Sequence, residues 1–300
     1  MKIKTLIIGL GNIGMLYDYK KKNHYNNHCE SVNIHPNFEL LGGVDINKKR
    51  NFLFEGKYNL PSFNTIYLAY KKLIPELIII STPTENNDQI YKLIMKKKIL
   101  PKAFLIEKPG SYSFASFQKF SDFCKKKKIL IFLNYPRSYS ESVKKLSKII
   151  NKDKNEYKSV DIIYRKGFYN SCSHYINFLF TLFDVKNFKI ISLEKRKIFK
   201  KDFLINCNIK IKLPIKFISA SKNIKEKMIF YGKKVKIIYL TEYSQLFLLD
   251  KNKTMIKNDF DKNLKNVFDK IFILYKKKKY FNLENNLNTL KLLNLTVLQK

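Results

Sequence analysis

Short, wholly apolar runs punctuate residues 1–135 at regular intervals: Lys4–Gly9, Glu39–Asp45, Leu77–Ser81, Ala103–Glu107 and Ile129–Asn134. Between them lie amphipathic stretches, such as Asn87–Lys98, where Ile90, Leu93, Ile94 and Ile99 recur at helical spacing. Apolar strands alternating with helices predict βαβ units and a parallel sheet covered on both sides. The pattern then changes. Tyr157–Arg165, Phe188–Ile198, Ile205–Ala220, Lys227–Tyr239 and Gln245–Leu249 read as strands, many alternating apolar residues with lysine, as in "KIKLPIKF" and "KKVKIIYL". That alternation suits an antiparallel sheet with one wet face. Helical spacing returns at Phe260–Lys276 and Leu283–Lys300. The chain therefore reads as an α/β domain followed by an α+β domain, with the seam near residues 125–140.

Composition sharpens this picture in two places. A hydrophobic content of 45% over 300 residues, with 24 Phe and 19 Tyr, describes a folded chain with material for two cores. The net charge of +35 points toward nucleic acid or an anionic membrane. All but four of the 59 basic residues are lysine, however, and they are spread along the chain with no single basic block. Readers of bases and phosphates favour the rigid fork of arginine, so the expectation is no dedicated nucleic-acid partner and no membrane partner. A mildly attractive field for phosphorylated small molecules fits better. Cys29, Cys124, Cys172 and Cys207 lie far apart without a C-x-x-C pair, as expected for reduced thiols in the cytoplasm. Neither a signal peptide nor an apolar stretch long enough to span a bilayer is evident, and the expected location is cytoplasmic.

The chemistry begins at "LIIGLGNIGMLYD", residues 6–18. Gly9, Gly11 and Gly14 follow a predicted strand in the G-x-G-x-x-G spacing of a dinucleotide loop. The first glycine makes a tight turn, the second lets backbone approach a pyrophosphate, and the third lets helix and strand pack closely. Asp45 closes the next strand, where a carboxylate can bond the adenosine ribose and favour NAD over NADP. Lys48, Lys49 and Arg50 follow it closely and can tolerate the extra phosphate of NADP. The Gly14–Asp45 interval exceeds the usual spacing of roughly 20 residues, which predicts a polar insertion around Tyr17–Asn27. A structural glycine turn in another α/β fold is the competing reading. Ser81-Thr82-Pro83 and Glu107-Lys108-Pro109 end the third and fourth strands, where doubly wound sheets bind their ligands; a surface ion pair is the plainer reading of Glu107 and Lys108.

Taken in order, "GLGNIG" (9–14), "HPNFELLGGVD" (35–45), "STPT" (81–84), "EKP" (107–109), "NYPRSY" (134–139) and "NSCSHYINFLFTLF" (170–183) resemble the glucose–fructose oxidoreductase/inositol dehydrogenase (Gfo/Idh/MocA) family. The closing "NNLNTLKLLNLTVLQ" is similar as well. The resemblance implies an α/β Rossmann domain over residues 1–125. A substrate-binding and dimerising α+β domain with a large, mostly antiparallel open sheet would span 126–300, its terminal helix free to pack back on the first domain. It implies NAD(P)-dependent hydride transfer to or from a secondary alcohol of a sugar, polyol or nucleotide-sugar, in a homo-oligomer, with surface-polysaccharide biosynthesis one setting.

Carried over residue by residue, Gly9, Gly11, Asn12, Ile13, Gly14, Asp45, Ser81, Thr82, Pro83, Glu107 and Lys108 would hold the cofactor. Lys108 and His174 would be catalytic, the ammonium stabilising an alkoxide and the imidazole moving a proton. Asn170 stands where many members carry aspartate. An amide cannot accept a proton, so Asn170 can only orient substrate, and a catalytically degenerate NAD(P)-binding sensor or partner subunit is the alternative. Tyr135 and Arg137 at the seam complete the expected substrate set with Asn170 and His174. A structural ion pair is an equal reading of Arg137, a core histidine one of His174. His24, His28, Cys29 and His35 carry metal-ligating types, but no second cluster supports them and no metal is expected.

Overall fold

The computed structural model describes residues 2–139, 148, 150, 157–199, 202–220, 223–232, 236–240, 245–249, 254–256, 263–280 and 283–298. Six strands, β1 (Ile3–Ile8), β2 (Phe38–Val44), β3 (Ser62–Phe63), β4 (Leu77–Ile80), β5 (Ala103–Glu107) and β6 (Leu130–Asn134), form one sheet in the order β3-β2-β1-β4-β5-β6. Every pairing in it is parallel. The order reverses between β1 and β4, the switch point at which such sheets open a crevice. β4 is buried at all four positions, as a strand covered on both faces must be. Helices α1 (His28–Ile34), α2 (Lys48–Tyr58), α3 (Ile66–Leu73), α4 (Thr84–Lys97) and α5 (Phe114–Lys126) connect the strands. Asn27, Asn47, Thr65 and Ser113 start four of them by accepting backbone N–H groups with their side chains.

The glycine motif opens a single π-helical turn, Asn12–Leu16, and not a full helix. A polar loop follows and α1 begins only at His28. Asn27 fixes that loop from its far end, donating to the Tyr17 carbonyl at 2.7 Å while its Oδ1 accepts the Glu30 N–H at 2.8 Å.

A second sheet contains β7 (Tyr157–Tyr164), β8 (Lys189–Phe199), β9 (Asp202–Lys210), β10 (Pro214–Ser219), β11 (Lys227–Gly232), β12 (Lys236–Leu240), β13 (Gln245–Leu249) and β14 (Thr254–Ile256). Their order is β14-β13-β12-β11-β7-β10-β9-β8, antiparallel except where β10 lies parallel to β7. Two stretches that read as single strands are hairpins. Ile205–Ala220 breaks at Ile211–Leu213, because Pro214 brings no N–H and the chain reverses to set Pro214 opposite Lys210. Lys227–Tyr239 breaks after Gly232, with Tyr231 opposite Lys236. β14 carried no sequence signal. One face of the sheet is covered by α6 (Ser173–Phe183), whose Ile176, Leu179 and Phe180 share a core with Ile162, Ile205, Ile215 and Phe217.

Two further helices, α7 (Asn263–Lys276) and α8 (Leu283–Leu298), close the described chain. They part company. Met1–Pro136 and Asp261–Leu283 make one compact unit; Arg137–Phe260 and Glu284–Lys300 make another. α7 belongs to the first unit through Phe268, which meets Phe38 edge to face at 5.1 Å, and through Asp269, 3.1 Å from His35 Nε2. α8 belongs to the second, where the Leu293 carbonyl accepts the Tyr169 hydroxyl at 3.0 Å. Among the described residues no helix is long and apolar enough to cross a membrane.

Candidate cofactor and active site

The three glycines of the first loop do different things. Gly9 has φ +90°, and a Cβ there would lie 2.8 Å from the Ser81 carbonyl carbon and the Thr82 nitrogen. Gly14 presses on the same turn, since a Cβ on it would stand only 1.9 Å from the Gly9 oxygen. Gly11 is open: within 4 Å, an added Cβ would meet only the Arg50 Nη1, at 3.8 Å. Side chains are thus excluded where the loop packs and absent where its backbone faces outward. Asn12 and Ile13 continue the loop, and the Met15 and Leu16 N–H groups return to the Gly11 carbonyl. Such an exposed backbone cradle fits the phosphates of a dinucleotide.

Asp45, at the carboxyl end of β2, is 7% exposed and is held from three directions. Its Oδ2 accepts the Leu10 N–H at 2.8 Å and lies 3.3 Å from Arg50 Nη1, while Oδ1 accepts the Asn47 N–H at 2.8 Å. The Ser81 hydroxyl donates to the Ile8 and Gly9 carbonyls, locking the end of β4 to the glycine turn. The Thr82 hydroxyl bonds Asn87 Oδ1 at 2.8 Å, and Asn87 in turn donates to the Gly110 carbonyl. Pro83 leads into α4.

Glu107 and Lys108 stand at the carboxyl end of β5. The Glu107 Oε1 lies 2.7 Å from His28 Nε2 and accepts the Asn134 amide at 2.6 Å. Burial works to raise the Glu107 pKa, but the His28 bond and charge, the Asn134 bond and the Lys108 ammonium together outweigh it. Its carboxyl is held below the usual carboxylate range. His28 is fully buried, and its Nδ1 has no hydrogen-bond partner among the described residues. With a carboxylate at Nε2, the ring proton belongs on that nitrogen. Among the described residues no three His, Cys, Asp or Glu side chains cluster as a metal site.

The second unit carries the other predicted residues. A π-helical turn, Phe168–Cys172, runs straight into α6, with Asn170 exposed on the turn and His174 partly buried in the first turn of the helix. Asp202 anchors this segment: Oδ1 accepts the Tyr169 N–H at 3.1 Å and Oδ2 the Asn170 N–H at 2.8 Å. Gly167 makes the approach possible, for a Cβ there would lie 2.1 Å from Asp202 Oδ2. Glu226, 4% exposed, accepts the Arg165 N–H, the Ser171 hydroxyl and the Tyr175 hydroxyl. The Arg137 guanidinium sits 5.1 Å from the centre of the Tyr175 ring, and Tyr135 is buried just beyond β6 in the first unit.

Residues 3–135 match the family model described as "Oxidoreductase family, NAD-binding Rossmann fold", GFO_IDH_MocA. That segment is a Gfo/Idh/MocA Rossmann domain. No curated protein matches the chain in sequence. Several solved structures share its fold over nearly their whole length. A dehydrogenase (MviM) from Clostridium difficile superposes with a TM-score of 0.78 at 16% identity, covering 99% of both chains. The 3-ketoreductase KijD10 from Actinomadura kijaniata, solved with TDP-benzene and NADP, gives 0.79 at 11% identity, covering 99% of this chain and 97% of its own. UDP-N-acetylglucosamine 3-dehydrogenase GnnA from Acidithiobacillus ferrooxidans gives 0.75 at 9% identity, covering 99% and 98%.

Sequence reasoning passed over several residues now seen around these positions. His28 was visible only as a metal-ligating type, because its partner Glu107 lies 79 residues away. Asp202 and Glu226 sit in strand and loop segments with no motif, and only the fold brings them to the Asn170 turn.

Proposed function

We propose that this protein is an NAD(P)-dependent oxidoreductase that moves a hydride between nicotinamide and a secondary alcohol of a sugar, polyol or nucleotide-sugar. The observation that carries the reading is the row of chemistry along the carboxyl edge of the first sheet. The open Gly11 backbone, the Asp45 carboxylate, the Ser81–Thr82 turn and the Glu107–Lys108 pair all end adjacent strands there. Gly11, Asn12, Ile13 and Gly14 would receive the pyrophosphate and Asp45 the adenosine ribose, with Gly9, Ser81, Thr82 and Pro83 shaping the turn. Bound nicotinamide supplies a hydride acceptor or donor, chemistry that no side chain offers.

The chain's own residues do the rest. The Lys108 ammonium stabilises negative charge on the alcohol oxygen as it develops. The His174 imidazole takes the hydroxyl proton in the oxidising direction and returns it in the other. Asn170 orients a neighbouring hydroxyl by hydrogen bonds, and Arg137, braced on Tyr175, is placed to clamp an anionic group such as a nucleotide phosphate. The buried, unpaired thiols Cys29, Cys124, Cys172 and Cys207 suit a reducing cytoplasm, and the broad second sheet suits pairing of two copies. The KijD10 and GnnA names favour nucleotide-sugars within this substrate class.

The test separates binding from turnover. NADH and NADPH titrations, followed by nicotinamide fluorescence, should saturate for the unmodified chain, for Lys108→Ala and for His174→Ala. Turnover of a panel of keto-sugars and nucleotide keto-sugars should fall at least about 100-fold in both variants, as for removal of a general acid–base group. Absence of binding by the unmodified chain overturns the cofactor reading. Binding without turnover on any panel member would instead favour the sensor or partner-subunit reading that Asn170 motivates.

A further inference from the structure

The edge of the first sheet away from the glycine loop gathers segments that are remote in sequence. β4, β5 and β6 begin side by side, with Leu77 opposite Ala103 and Ala103 opposite Leu130. Just before these starts, or at the helix ends that feed them, lie Lys71–Lys72, Lys96–Lys98, Lys102 and Lys125–Lys128. α7 adds Lys276–Lys279. Side-chain contacts stitch the segments into one surface. Lys71 and Lys97 both lie over the Tyr67 ring, at 5.0 and 5.2 Å. Glu76 receives Lys102 at 2.6 Å and the Tyr275 hydroxyl at 3.1 Å, and the Tyr280 hydroxyl donates to the Ile129 carbonyl at 3.3 Å. All fourteen lysines are exposed, and only Glu76 and Asp122 bring negative charge within the same segments.

Cations at helix carboxyl ends are ordinary, since they meet the negative pole of the dipole within the last turn. One or two per helix suffice for that. Two unbroken quartets, brought together by the Tyr280–Ile129 bond, exceed it. Three large apolar side chains also stand out of this field: Ile74 at 72% exposure, Leu100 at 38% and Tyr280 at 39%. A nucleic-acid backbone offers aliphatic tips nothing, and this surface has no arginine with which to read bases. An anionic bilayer uses both features. Lysine ammoniums meet lipid phosphates, each adding to binding, while short apolar tips and a tyrosine enter the headgroup boundary.

We propose that this edge of the first unit is a docking surface for an anionic lipid bilayer. Docked there, the protein keeps the glycine loop and the Glu107–Lys108 pair at the opposite edge of the same sheet, facing away from the lipid. The inference is independent of which reaction the site performs.

The test uses the full chain and sedimentation with vesicles of phosphatidylcholine alone or mixed with phosphatidylglycerol. Binding should require the anionic lipid at about 0.1 M salt and be released near about 0.5 M, as screening demands. Lys126→Glu, Lys127→Glu, Lys277→Glu and Lys278→Glu together should weaken it at least about tenfold. The same charge change placed at Lys189, Lys210, Lys212 and Lys216 should leave it within about twofold. Should the glutamates unfold the protein, the four glutamine replacements test the same point, with the NADH titration reporting an intact first unit. Ile74→Ser with Leu100→Ser should cost about threefold or more at unchanged salt dependence, from lost apolar burial. Equal loss from both lysine quartets means that net charge alone is at work and overturns the proposal. Tighter binding to duplex DNA than to anionic vesicles at the same salt overturns it as well.

Discussion

His28 Nε2 lies 2.7 Å from Glu107 Oε1, joining the first residue of α1 to the last residue of β5. The pair sits one residue from Lys108, so the ionisation of Glu107 bears on the charge beside the proposed reaction centre. The carboxyl pKa is lowered in the folded protein, against an ordinary value of 4.5. A carboxyl so depressed contributes stability that is full above its unfolded pKa and is lost as pH falls through the folded one. Thermal unfolding of the unmodified chain should therefore lose this contribution only below about pH 4.5. Glu107→Gln should unfold at lower temperature near neutrality, and the difference from the unmodified chain should shrink toward acid. A difference constant from pH 7 to pH 3 would show that the carboxylate charge contributes nothing.

The glycine loop yields a contrast between stability and binding. Gly14→Ala drives a methyl into the Gly9 carbonyl and should cost about 3 kcal/mol or more, visible in urea unfolding. Gly11→Ala meets only the flexible tip of Arg50. Its stability should stay within about 0.5 kcal/mol, while its NADH affinity falls about tenfold or more because the methyl occupies the phosphate approach.

Arg50 speaks to the choice between cofactors. Its Nη1, 3.3 Å from Asp45 Oδ2, stands beside the carboxylate proposed to bind the ribose. The expectation from Asp45 alone favours NAD; the neighbouring guanidinium offers a 2′-phosphate a bidentate partner. Arg50→Ala should weaken NADPH by about tenfold, and NADH by less than about twofold, in parallel fluorescence titrations. Equal loss for both cofactors would assign Arg50 to holding Asp45.

Asp202 is the anchor of the Asn170 turn. Asp202→Ala leaves the Tyr169 and Asn170 N–H groups without their acceptor and should destabilise the protein by about 1–3 kcal/mol. Because the turn leads directly to His174, turnover should fall about tenfold with NADH affinity unchanged. Asp202→Asn keeps one acceptor oxygen but turns an amide NH2 toward the other N–H, and should recover only part of both losses.

The architecture was legible where a local pattern is also a tertiary one. Strands buried on both faces must be continuously apolar, and Ala103–Glu107 could be read to the residue. Hairpins were less legible, because "KIKLPIKF" alternates straight through the point where Pro214 reverses the chain. The glycine loop announces itself by spacing, but His28, Asp202 and Glu226 act on partners 32 to 79 residues away, and no periodicity encodes such distances. The lysines show the same limit. Their runs lie far apart in sequence, and the parallel register of β4, β5 and β6, with the Tyr280–Ile129 bond beyond α7, collects them on one edge.

The placement of α7 has a consequence for biosynthesis. The first unit borrows a helix translated after almost the whole of the second, and Phe268 and Asp269 are needed to cover Phe38 and His35. At roughly 5–20 residues per second, the 230 residues from Phe38 to Phe268 leave that apolar seat bare for about 12 to 46 seconds. A nascent chain stalled before Asp261 would present it to chaperones, whereas emergence of α7 seals it. Completion of the first unit is thereby tied to the synthesis of α7, and products truncated before it betray themselves by what they leave uncovered.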